Sequence, residues 1–233
     1  MRWPVLLLLV FCLPACTTKL GKDGRTETAY DVKYLAKTEI DRVADANRSE
    51  VMDGLMLIAD KLYKRNPREW KKAGVASREA ALERLRQRHY KSLPELGGLR
   101  ERQAAALAFS ESYAGDRVAA LMLGLLTMAD AAYGHRAEFF MFDSIDEVKL
   151  QHCSRNMEVA VWKLGNDRNG AGELFLLANE LDPNNRNLSF EREFGRLMGL
   201  LDFMARIVAD RNGRTLSRLT QSVATMVFLP VSF

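Results

Sequence analysis

Beyond residue 16 this chain has a single cysteine, Cys153; the other two are Cys12 and Cys16. No disulfide can close within that body, so its stability has to come from packing. Histidine is as scarce: His89, His135 and His152 stand far apart, none with a second ligand at metal-binding spacing, and no metal or cofactor is expected. No glycine-rich phosphate loop occurs, and no unit repeats at a period of about 34 residues. Alternating strands are missing too, Phe139 to Phe142 being the one short candidate, which argues against a β architecture. The longest apolar run near the N-terminus, Val5 to Leu13, falls well short of the roughly 20 residues a membrane-crossing helix needs.

What is present first is an address. The opening MRWPVLLLLVFCLPAC has one cation, Arg2, then the apolar run, then Leu13-Pro14-Ala15-Cys16. A run of this length suits the core of a secretory signal. Leu13-Pro14-Ala15-Cys16 resembles the lipobox of bacterial lipoproteins, with Leu at minus three and Ala at minus one before the Cys. The resemblance implies that Cys16 becomes the mature N-terminus, with a diacylglycerol (palmitate-type chains) on its sulfur and, in a Gram-negative bacterium, a third acyl chain on its amine. Several chains anchor stably where one does not. Thr17 stands where that family's inner-membrane retention signal has Asp, which implies the outer membrane. The division expected is a signal peptide over 1–15, the lipidated Cys and a flexible tether over 16–28, and one periplasmic domain over 29–233.

Apolar residues make up 48% of the chain and charged residues 27%, the balance of a folding globular protein. The net charge of +4 hides an asymmetry, because Lys61 to Arg102 holds thirteen Lys or Arg against five Asp or Glu. Lys64, Arg65, Arg68, Lys71, Lys72, Arg84, Arg86 and Arg88 are the candidates for a face that meets an anionic partner. In a periplasmic setting that partner is peptidoglycan or anionic lipid headgroups, not nucleic acid.

Helical spacing dominates the rest. Ile40, Val43, Ala44, Val51, Leu55, Ile58 and Leu62 predict a helix over 38–65, with Asn47-Arg48-Ser49 as a candidate interruption. Asn66-Pro67 restarts the chain, with Glu69 placed to answer the exposed amides. Ser77 caps a helix to about Tyr90, breakers follow over 92–98, and helix resumes from Leu99 to about Tyr113. After a cap at Asp116, Val118 to Met128 is apolar on all sides and belongs at the centre of a bundle. Ser144 to Glu147 reads as a capping box for a helix carrying Cys153, Met157, Ala160 and Leu164 until Gly165. A short helix over 173–181 precedes the clearest signal, Phe190, Phe194, Leu197, Leu201, Met204 and Val208, whose stripe is expected against the central helix. Leu216, Leu219, Val223 and Met226 predict a last helix. The fold class is therefore all-α, a single bundle or irregular helical array of about seven to nine helices.

Three segments carry resemblances to known families. Ala106 to Tyr113 is similar to the segment around the catalytic Glu of soluble-type lytic transglycosylases, which implies Glu111 as a general acid at a helix end. The downstream motifs of that family do not follow. Ala171, Phe175, Ala178 and Pro183 have the spacing of the second helix of a tetratricopeptide unit, with Trp162 in its first, which implies a helical-repeat adaptor. Val227, Leu229, Val231 and Phe233 resemble the end of an outer-membrane β-barrel, but Pro230 makes a tail packed on the core the better expectation. Cys153, on an apolar face, reads as an inert thiol. The function expected from all this is that of an outer-membrane-anchored lipoprotein acting by binding, a structural, scaffolding or assembly factor of the envelope with a protein partner, not an enzyme.

Overall fold

The computed structural model describes residues 37–88, 91–141, 143–179, 187–213 and 227–231, together with the backbone of 17–20 and 26–29. The fold is all-α. Its helices are α1 (Glu39–Arg65), α2 (Pro67–Lys72), α3 (Arg78–Arg88), α4 (Glu101–Leu107), α5 (Arg117–Ala132), α6 (Glu147–Asn166) and α7 (Ser189–Arg211), with a 3-10 turn at Pro94–Leu96. The segment expected to be an irregular tether instead carries an antiparallel pair, β1 (Thr17–Leu20) and β2 (Thr26–Ala29), with Thr17 opposite Ala29. Two strands alone are marginal in water, so the helices set the architecture.

α1 begins with a reciprocal cap: Thr38 Oγ1 accepts the Asp41 amide at 3.2 Å, and the Thr38 amide donates to Asp41 Oδ2 at 2.8 Å. The helix then runs through Asn47-Arg48-Ser49 without the expected break, because Asn47 and Arg48 turn inward and find polar partners instead of competing with the helix backbone. Ala44, Val51, Leu55, Ile58 and Leu62 are buried as their spacing requires, whereas Val43 is exposed.

α5 is buried along its length from Val118 to Ala132 and packs against α1, α2, α3, α4 and α6. Gly124 sets the distance to α4, since a Cβ there would lie 2.5 Å from the Ala105 amide nitrogen. The stripe of α7 is buried at Phe190, Phe194, Leu197, Leu201, Met204 and Val208, but it packs chiefly on α6 and α1 and not on α5 as expected. α7 runs antiparallel to both: toward α1, Lys61 reaches the Ser189 carbonyl at 3.0 Å and Asn47 the Leu200 carbonyl at 3.0 Å, and toward α6, Arg155 pairs with Asp202 at 2.7 Å while Asn212, just past α7, donates to Glu147 at 3.1 Å.

Other expectations are corrected. α4 stops at Leu107, six residues early, and turns follow. The α6 cap is Asp146, which accepts the Val148 and Lys149 amides, so the Ser144 capping box does not form. Residues 173–179 form no helix, and Arg168 pairs with Leu174 in an isolated bridge. Asn66 does not cap α2; its side chain donates to the Leu177 carbonyl and accepts the Leu177 amide, each at 2.8 Å, holding that loop in place of a helix. Phe139 is buried and lies in no strand. The last predicted helix, over 216–226, lies outside the described residues.

Candidate functional site

Two polar clusters bracket α5. At its N-terminus Asp116 accepts the Ala119 amide at 2.8 Å and the Tyr63 hydroxyl at 2.9 Å. Glu69, expected to cap its own helix, instead accepts the Arg117 amide at 2.8 Å and pairs with Lys72 at 2.6 Å. The Arg117 guanidinium donates to the carbonyls of Ala108 at 2.9 Å and Ser110 at 2.8 Å, and lies 4.8 Å from the centre of the Phe175 ring. Burial pushes the Asp116 carboxyl up to about 6, although the Ala119 amide and the Tyr63 hydroxyl pull it down. Burial likewise raises the Tyr63 hydroxyl, and takes that of Tyr113 to about 12. A carboxyl titrating near neutrality often marks catalysis. Here it is 1% exposed and roofed by Tyr63, so it holds helices together and meets no substrate.

At the C-terminal end of α5, buried Asp130 accepts from Arg48 Nη2 at 3.2 Å and is paired with His135 Nδ1 at 2.7 Å. Gly134 and His135 both take left-handed backbone conformations, with φ of 65° and 59°. That turn brings the His135 amide to the Asp130 carbonyl at 2.8 Å and leaves the imidazole largely exposed. The pair resembles the orienting half of a catalytic triad, but no hydroxyl or thiol is hydrogen-bonded to His135 among the described residues. Next to Arg48, between α1, α3 and α5, lies an open cleft of about 280 Å³ lined by Arg48, Ser49, Met52, Asp53, Met56, Arg86 and Leu126. Its two guanidiniums are matched by carboxylates, Arg48 by Asp130 and Arg86 by Glu83, and Asp53 adds another to the wall.

The structure brings few of the expected site residues together. Among the eight cations of the basic segment, Lys64 pairs with Asp60, Lys72 with Glu69, Arg84 with Glu95 and Arg86 with Glu83. Arg65 is partly buried and partnered, Arg68 and Lys71 are exposed without an ion pair among the described residues, and the side chain of Arg88 lies outside them. Only Arg86 reaches the cleft. Glu111 sits exposed on a turn four residues past the end of α4, not at a helix end in an apolar pocket. Residues 171–179 offer no second helix for a tetratricopeptide unit. Cys153 is fully buried, and burial pushes its thiol up to about 12. His152 contacts the Pro230 carbonyl at 2.7 Å, and no group of three metal-ligating side chains occurs among the described residues. Cys16 and His89 lie outside them, and no described helix is long and apolar enough to cross a membrane.

Arg48 and Asp130 were missed by sequence reasoning. The signal was there: Arg48 falls on the stripe of Ala44, Val51 and Leu55, and Asp130 follows an all-apolar run, so both charges had to be buried or paired. The surface meanwhile leaves large apolar side chains uncovered on rigid helices, Val43 and Leu57 on α1 and Phe203 on α7, the last 60% exposed. No protein-family model, curated protein or solved structure matches the chain, so its sites stand on their own geometry.

Proposed function

We propose that the chain is an outer-membrane-anchored periplasmic lipoprotein, acylated at Cys16, whose helical body acts as a scaffold or assembly factor by binding another envelope protein. The observation that carries this reading is the distribution of side chains. The buried Asp116 and Asp130 carboxylates and the Tyr63 and Tyr133 hydroxyls all hold helices together, while Val43 and Leu57 stand out from α1. Apolar side chains on rigid elements are what a binding face needs, and they cost little order on association.

The test combines both parts. A fatty-acid analogue should label the wild-type chain and leave Cys16→Ala unlabelled; equal labelling would remove the anchor from the proposal. A photo-crosslinking residue at position 57 of the full chain in living cells should give one dominant adduct with an envelope protein, lost in Cys16→Ala. Labelling without any such adduct would leave a lipoprotein whose role is not binding through this face.

A further inference from the structure

The outer face of α7, opposite its buried stripe, is written in steps of four and three residues: Arg192, Arg196, Gly199, Phe203, Arg206 and Asp210. That spacing keeps all six along one line of the helix, the pattern by which one helix meets another. Phe203 is the outstanding member, with 60% of its surface in water, flanked by half-buried Leu200 and Ile207 on the side toward α1, where Val43 is exposed as well. Gly199, one turn before Phe203, would find nothing within 4 Å of an added Cβ, so the surface is notched beside the protruding ring. Arg192, Arg206 and Asp210 are exposed and carry no ion pair among the described residues.

From this face we infer that the chain pairs with a second copy of itself through α7, the two helices lying antiparallel about a two-fold axis at the level of residue 201. That axis exchanges residues whose numbers lie equally far on either side of it. Phe203 of each copy then stands opposite Gly199 of the other, ring into notch, and Arg192 stands opposite Asp210, twice by symmetry. Arg206 meets the cluster in which Arg196 is already bound by Glu193 at 2.6 Å and Glu50 at 3.0 Å, where two carboxylates outnumber one guanidinium. A parallel pairing would instead set Arg192 against Arg192 and Phe203 against Phe203. The charges therefore select a copy of the same face, and its antiparallel orientation. α7 has 23 residues, and a single helix-on-helix contact lies at the small end of stable interfaces, below about 1,200 Å², so the expected dissociation constant is micromolar. The pairing is independent of the lipid anchor and of any other partner.

Sedimentation equilibrium of the full chain in density-matched detergent tests this. The wild type should move from monomer to dimer over micromolar concentrations. Phe203→Ala should weaken the dimer by about tenfold or more. Gly199→Leu should also weaken it, yet raise the thermal stability of the monomer, since the added side chain meets open space and glycine is a poor helix former. This opposite sign separates lost pairing from lost folding. Arg192→Asp and Asp210→Arg should each weaken association, and the double exchange Arg192→Asp with Asp210→Arg should restore it. A monomer up to about 200 μM, far above the micromolar range expected for so small a contact, would overturn the inference. So would a dimer indifferent to Phe203→Ala and Gly199→Leu, or a double exchange as weak as its single components.

Discussion

Gly124→Ala should destabilise the protein although it replaces a poor helix former with the best. The added Cβ would lie 2.5 Å from the Ala105 nitrogen, 2.7 Å from its Cβ and 2.7 Å from the Glu101 carbonyl oxygen, where ordinary contacts begin near 3.4 Å. Two of these atoms are backbone, so no rotamer change relieves the clash. α4 has to retreat by roughly an ångström, a gap that forfeits a quarter to a half of each dispersion contact it opens. Buried Ala104, Ala105 and Ala108 lose such contacts, and the bond from the Glu101 amide to Thr127 Oγ1, 2.7 Å long, is stretched. Overpacking of this kind costs about 1–3 kcal/mol and a weakened hydrogen bond about 0.5–1.5, against a gain in helix propensity of about 1. The net expectation is a loss of about 1–3 kcal/mol. Gly54→Ala, whose Cβ would meet the side-chain ends of Leu197 and Arg196, should cost less, and Gly165→Ala, with nothing within 4 Å, should stabilise by up to about 1 kcal/mol. Urea unfolding of the full chain, followed by circular dichroism, measures all three. A Gly124→Ala protein as stable as Gly165→Ala would show that α4 and α5 do not approach as closely as described.

Asp116 makes stability depend on pH. Its carboxyl is raised from 3.8 to about 6 in the folded chain, so between these values the native state holds more protons than the unfolded one and stability falls as pH rises. Asp116→Asn keeps a capping oxygen and should flatten that slope, worth up to about 3 kcal/mol across the window; identical pH profiles for the two proteins would refute it. Asn156 donates to the Leu229 carbonyl at 2.9 Å and accepts its amide at 2.6 Å, so Asn156→Ala should cost about 2–3 kcal/mol and expose the Leu229 amide to hydrogen exchange. Cys153 should resist thiol reagents at pH 8 in the folded chain and react only on unfolding, and fast native labelling would contradict its burial.

Much of the fold was legible because it rests on period. The steps of Phe190 to Val208 and the unbroken apolar run of Val118 to Met128 place buried faces by covalent spacing alone, and the caps at Ser77 and Asp116 lie where short polar side chains can reach free amides. The lipobox reading is also local, being carried by four adjacent residues. What the sequence could not decide were the outcomes that depend on partners distant in the chain. Asn47 and Arg48 looked like a break because their partners, Leu200, Tyr133 and Asp130, are 82 to 153 residues away. In the basic stretch over 61–102 the pairs of Lys64 with Asp60, Lys72 with Glu69 and Arg86 with Glu83 are only three or four residues apart and follow from helical spacing, whereas the pairing of Arg84 with Glu95 depends on how the chain turns after α3. The helix expected over 173–181 had the right spacing, yet Asn66 satisfies the Leu177 backbone in both directions and removes the need for helical hydrogen bonds there. Local spacing determines which side of a helix is apolar, whereas tertiary structure decides what covers it, and on the outer line of α7 nothing among the described residues covers Phe203.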